Sequence, residues 1–183
     1  KDRIILLPNQ YFPIFLWNNE IKSMPSNMAS ALFKIPSISN VCMGCASVFS
    51  IDLINFVFSN IKEVDFDRVL GMFGISHILQ RNDIYYIRYN SESPEEIKTI
   101  LSTWDNVNKI NSFGELDLYK INEDLVYSRI YSPQNIVFVE SFGGLMDKLG
   151  LVDNNKNEYA FSLKDQIKQN TGFISEKAND VFI

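Results

Sequence analysis

Residues 68–89, RVLGMFGISHILQRNDIYYIRY, constrain the fold of this chain more than any other stretch. Phe66, Val69, Leu70 and Phe73 sit at helical spacing and give one apolar stripe. Gly74 follows the last of them, where a helix ends best on a residue that accepts positive φ. Residues 75–80, ISHILQ, are too few for a helix and carry little polarity, so a buried strand is expected. Arg81, Asn82 and Asp83 turn the chain, and residues 84–89 are rich in strand-forming side chains. This is the signature of an α/β scaffold, and it carries no chemistry of its own.

The flanks fit the same class. Residues 3–7 form a strand candidate closed by Pro8. Residues 50–61 have a broad apolar face of Ile51, Leu53, Ile54, Val57, Phe58 and Ile61, with Ser50 as the expected N-cap. Asp65 or Asp67 is expected to cap the next helix; their spacing also suits a metal, but carboxylates at a helix start ordinarily serve the backbone amides and the dipole. Ser93-Pro94-Glu95-Glu96 opens a third helix, with a cap, a proline at the first position and acids in the first turn. Phe113-Gly114 joins residues 106–112 and 115–121 as a hairpin, with Leu116, Leu118 and Lys120 on one face and Asp117 and Tyr119 on the other. Glu115 and Asp117 read as a solvated face. Residues 132–135 mark a turn between strand candidates 127–131 and 136–140, and residues 159–169 read as a short strand or turn into a helix beginning near Ser162. Strands both adjacent and separated by helices imply a mixed α/β (α+β) fold: a mixed β-sheet with helices packed against it, in a single domain over residues 3–169, with 170–183 as tail or linker.

Residues 9–47 are the least regular part, a long excursion with a short helix expected near 28–33. Excursions of this length are often functional, so Tyr11, Phe12, Phe15 and Trp17 are the candidate binding residues, set against packing as a satellite core. Cys42 and Cys45 form a CxxC, read as two thiols in a loop or a disulfide, with thiol-redox chemistry as the alternative. A zinc site needs more ligands than these, and His77 is the only histidine, set in an apolar strand where a core role is expected. The Ser141-Phe142-Gly143-Gly144 run lacks the Gly-Lys-Ser/Thr ending of a phosphate loop, so a turn and cap is expected there. No catalytic residue, cofactor or metal is expected. A formal charge of −5 without a basic cluster argues against nucleic acid as a partner. No run reaches the roughly 18 apolar residues of a membrane span, and a chain starting at Lys1 suggests a piece of a longer protein.

Three patches resemble an extracytoplasmic segment of polytopic membrane glycosyltransferases of the GT-C type, arabinofuranosyltransferase-like and related archaeal and bacterial proteins. Residues 3–8, RIILLP, resemble the family's opening strand after its membrane region. Residues 73–83, FGISHILQRND, resemble a leucine-glycine-valine-x-tyrosine-valine run ending in arginine-asparagine-aspartate, with His77 where tyrosine is usual. Residues 114–121, GELDLYKI, resemble the strand that follows, and residues 127–131 the next. The family's catalytic acid lies between membrane helices, and nothing here matches it. The resemblance implies a non-catalytic accessory domain outside the membrane, partnered by the membrane region of the same polypeptide and by glycan or lipid-linked sugar. A protein-interaction module is the alternative.

Overall fold

In the computed structural model the described residues are 3–8, 14–17, 20–23, 37–38, 48–63, 65–86, 92–127, 135–140, 144 and 159–163. The chain divides into two compact units, Lys1–Val126 and Tyr127–Ile183.

The first unit is built on a mixed sheet. Its strands are β1 (Arg3–Leu7), β4 (Ser37–Ile38), β5 (Ile75–Arg81), β6 (Val107–Phe113) and β7 (Leu116–Ile121), in the order β4-β1-β5-β7-β6. β1 runs parallel to both β4 and β5, while β7 runs antiparallel to β5 and β6. β5 is thus the seam between a parallel and an antiparallel half. Ile5, Ile75 and Ile78 are fully buried, as a strand covered on both faces requires. A separate antiparallel pair, β2 (Ile14–Trp17) with β3 (Glu20–Ser23), lies within the long N-terminal excursion. That excursion, read from sequence as irregular, therefore supplies three strands; the helix expected near 28–33 lies outside the described residues.

Helices α1 (Val48–Ser59), α2 (Phe66–Met72) and α3 (Pro94–Ser102) build the core around a tilted aromatic chain. The Phe56 and Phe66 rings stand 6.0 Å apart and those of Phe66 and Trp104 6.3 Å apart, within the range of favourable aromatic pairs. Ile97 and Leu101 of α3 are buried, as is Trp104, whose indole N–H donates to the carbonyl of Glu63 at 3.2 Å. α3 starts as its sequence demands: the Ser93 hydroxyl accepts from the Glu96 amide and the Glu96 carboxylate accepts from the Ser93 amide, a complete capping box.

Other helix starts differ from expectation. α1 begins at Val48, so Ser50 lies inside it. At the start of α2, Asp65 sits at φ 62° and makes no side-chain cap bond. Asp67 is fully buried instead; it accepts the Arg68 amide at 2.9 Å and the Asn106 amide at 3.3 Å, tying α2 to the entry of β6. α2 stops as read: Gly74 at φ 69° donates its amide to the Gly71 carbonyl, and Arg3 Nη1 donates to the Phe73 carbonyl at 2.7 Å.

The strand expected over 84–89 is not seen in its described part, 84–86. There Ile84 makes a single β-bridge and is buried in the core, while β5 is already flanked by β1 and β7.

In the second unit, β8 (Asn135–Val139) pairs in parallel with β9 (Tyr159–Leu163). Val137 and Val139 are buried, with Phe138 half-buried between them. Parallel pairing requires a crossover, within which Gly144 is helical. Ser162, the expected start of a helix, lies in β9. Residues 128–134, holding the expected strand and turn before β8, lie outside the described residues.

Gly71 faces the 3-10 turn Glu123–Leu125 that follows β7. A Cβ there would collide with the Leu125 carbonyl oxygen and lie 2.9 Å from its carbon. Gly71→Ala is therefore expected to lower unfolding stability by about 1–3 kcal/mol, the overpacking range, despite the better helix propensity of alanine. Urea titration of both chains measures it.

Candidate functional site

The strongest concentration of polar side chains lies where β5 ends beside β7. Alternation and register place Gln80, Asp117 and Ser112 in one cross-strand row, with Ile78, Tyr119 and Lys109 in the next row on the same face. Gln80 is 1% exposed, so each polar atom of its amide needs a partner. Its Nε2 donates to Asn82 Oδ1 and to the Pro94 carbonyl, both at 2.8 Å. Its Oε1 accepts from the Tyr119 hydroxyl at 3.0 Å. One amide thereby joins β5, its outgoing turn, β7 and the first turn of α3.

Asp117 carries the charge of this cluster. Its carboxylate accepts from Ser112 Oγ at 2.7 Å and Asn82 Nδ2 at 3.3 Å, and pairs with Lys109 Nζ at 2.6 Å. Burial pushes its pKa up, but the hydrogen bonds from Lys109, Ser112 and Asn82 outweigh it and hold the carboxyl below its usual range. Burial, seconded by the neighbouring carboxylate, raises the Tyr119 phenol, which stays a neutral donor. The arrangement locks geometry: an ionised carboxylate and a neutral phenol are each held by protein partners.

This corrects the facing of β7. Asp117, Tyr119 and Ile121 point inward, and Leu116, Leu118 and Lys120 are only half-buried. Asp117 is part of the core's polar seam, while Glu115 stays exposed in the turn with Gly114 at φ 59°.

A second feature lies at the opposite end of the hairpin. Asn108 and Ile110 of β6, Lys120 and Ile121 of β7, and Asn122, Glu123 and Asp124 line an open groove of about 480 Å³. Ile110 is 50% exposed. Lys120 pairs with Glu123, both in the lining, and Asn122 Oδ1 accepts the Asp124 amide at 3.1 Å.

Of the residues singled out from sequence, Tyr11, Phe12, Cys42 and Cys45 lie outside the described residues. Phe15 and Trp17 lie on β2, in register with Lys22 and Glu20 of β3. His77 is half-buried on β5, its Nδ1 2.8 Å from Ser76 Oγ, which also donates to the Arg3 carbonyl at 3.3 Å. No group of three or more His, Cys, Asp or Glu able to hold a metal occurs among the described residues. Sequence reasoning missed Gln80, Asn82, Lys109 and Tyr119. The available signal was a glutamine closing an otherwise apolar strand.

No protein-family profile and no curated protein matches this chain. Solved structures do. The single-particle structure of arabinofuranosyltransferase AftD from Mycobacteria matches with a TM-score of 0.56 at 16% identity, over 66% of this chain and 11% of that one. Two classes of a point mutant of that protein match at TM-scores of 0.55 and 0.56, with 17% and 16% identity, over 66% and 68% of this chain and 11% and 12% of theirs. The likeness is one of fold, and the chain spans about a tenth of the length of these structures. No helix among the described residues is long and apolar enough to cross a membrane.

The depressed Asp117 pKa has a definite sign. The group stabilises the fold above the unfolded carboxylate pKa, and that contribution is lost as pH falls through the folded value. Asp117→Asn is expected to destabilise the chain by about 1–3 kcal/mol at pH 7. The difference from the parent chain should narrow below about pH 4, where the unfolded carboxyl protonates. Thermal melts at stepped pH follow both.

Proposed function

We propose that this chain is a non-catalytic, extracytoplasmic accessory domain of a membrane-embedded glycosyltransferase-like protein. Its partners are the membrane region of the same polypeptide and a glycan or lipid-linked sugar. The observation that carries the reading is the shared fold with a stretch of an arabinofuranosyltransferase, over about two thirds of this chain. The segments that carry the sequence resemblance, 3–8, 73–83 and 114–121, contribute β1, β5 and β7, three adjacent strands of the sheet.

The polar seam supports a scaffold role. Nucleophilic and acid–base chemistry need a group poised to exchange a proton with a substrate. Gln80, Asp117 and Tyr119 instead spend their hydrogen bonds on one another, on the strand end and on α3. Such a seam fixes the strand end and the turn after β5, giving the rest of a larger protein a rigid body to attach to.

Two measurements test the reading. The complete reading frame is expected to encode an array of membrane helices; a frame opening a few residues before Lys1 and encoding none would overturn it. An alkaline phosphatase reporter, active only after export, is expected to be active when fused to the intact parent protein after residue 183. An inactive reporter, with a cytoplasmic fluorescent fusion bright at the same position, contradicts the outer location.

A further inference from the structure

We propose that the groove between the start of β6 and the 3-10 turn after β7 is a shallow binding site for a neutral sugar ring. This rests on the accessory-domain reading above and names where glycan contact occurs. The argument is chemical. Asn108 brings an amide with both donor and acceptor to the rim. Asn122, also in the lining, commits its Oδ1 to the Asp124 amide and keeps its NH₂ as a donor group. Glu123 and Asp124 supply acceptors, and Lys120 donates while held by Glu123. Ile110, half exposed in the same lining, offers an apolar surface to the C–H face of a ring.

The composition of the lining selects among ligands. Two carboxylates against one ammonium leave a local excess of negative charge, which disfavours phosphate and other anions. The ammonium beside Glu123 disfavours a divalent cation for the opposite reason. A purely apolar segment would strip water from Asn108, Asn122 and Asp124 without replacing their hydrogen bonds. A ring carrying several hydroxyls and one C–H face meets donors, acceptors and Ile110 together. A volume of about 480 Å³, wide open to solvent, holds one or two such rings. Because each contact exchanges with water, affinity is set in the millimolar range, about 1–10 mM.

The test is an amide ¹H–¹⁵N titration of the full 183-residue chain with a linear tri-arabinofuranoside, and with maltotriose and inorganic phosphate in parallel arms. Saturable shifts at 108–110 and 120–124 with either sugar, and none with phosphate, are expected. The double variant N108A/D124A, both positions exposed, should weaken binding about tenfold or more and leave the remaining spectrum in place. Thr99→Ala, on the exposed face of α3, should bind as the parent chain does. Absence of saturable shifts up to about 20 mM sugar, well above the expected affinity, would overturn the inference, as would saturable phosphate binding at the groove or undiminished sugar binding by N108A/D124A. An active export reporter combined with a silent titration removes this site alone; an inactive reporter removes the reading beneath it.

Discussion

A side-chain amide buried between an apolar sheet and a helix must find all its hydrogen bonds inside the protein, and Gln80 does so by holding four parts of the chain together. Leaving its donors or its acceptor unmet would cost about 1–3 kcal/mol. That penalty is avoided only when the turn after β5, the phenol of β7 and the first carbonyl of α3 stand in their places. The constraint is directional, unlike the apolar contacts around Phe66 and Trp104, which tolerate sliding. It therefore fixes register where hydrophobic burial alone would fix only proximity. The locally encoded cap of α3 serves the same end, since it starts the helix where its Pro94 carbonyl meets the Gln80 amide.

Around that amide the first unit is asymmetric. On one side of β5 the sheet is parallel and its β1 strand apolar and largely buried; on the other it runs out through a hairpin whose outer strand is mostly exposed. Asp117 and Lys109 make the transition. The carboxylate is buried deeply enough to need partners, and the ammonium reaches it from the solvent side. Charge is thus drawn toward the seam, while the far end of the hairpin is left with the groove. A rigid interior beside an open polar margin suits a domain that holds position and contributes weak contacts.

Local chemistry was legible in the sequence wherever it was self-contained. Ser93 and Glu96 announce a capping box within one turn, Gly74 ends a helix, and a hairpin closes near Phe113-Gly114, its turn falling at Gly114-Glu115 with Phe113 still in β6, since each depends on neighbours a few residues away. Non-local pairing was not. β4 is two residues long and exists only because β1 offers it an edge, and β8 finds its partner in β9 across a crossover. The facing of β7 misled for a clearer reason. Leu118 is apolar and Asp117 charged, so alternation alone turns the leucine inward. The structure chooses the face that buries Tyr119 and Ile121 and supplies Asp117 with Lys109, Ser112 and Asn82. The groove was invisible for a related reason, as it joins residues from the start of β6 to those beyond β7.

The register shift between Lys109 and Asn111 gives the outermost strand an odd residue, Ile110, that its partner does not match. A regular strand in that place would present evenly spaced amides and carbonyls, a template on which another chain could zip. The extra residue throws that spacing out of step halfway along the strand. Ile110 and Phe113 can then remain in water without offering a neighbouring chain an evenly spaced ladder to extend.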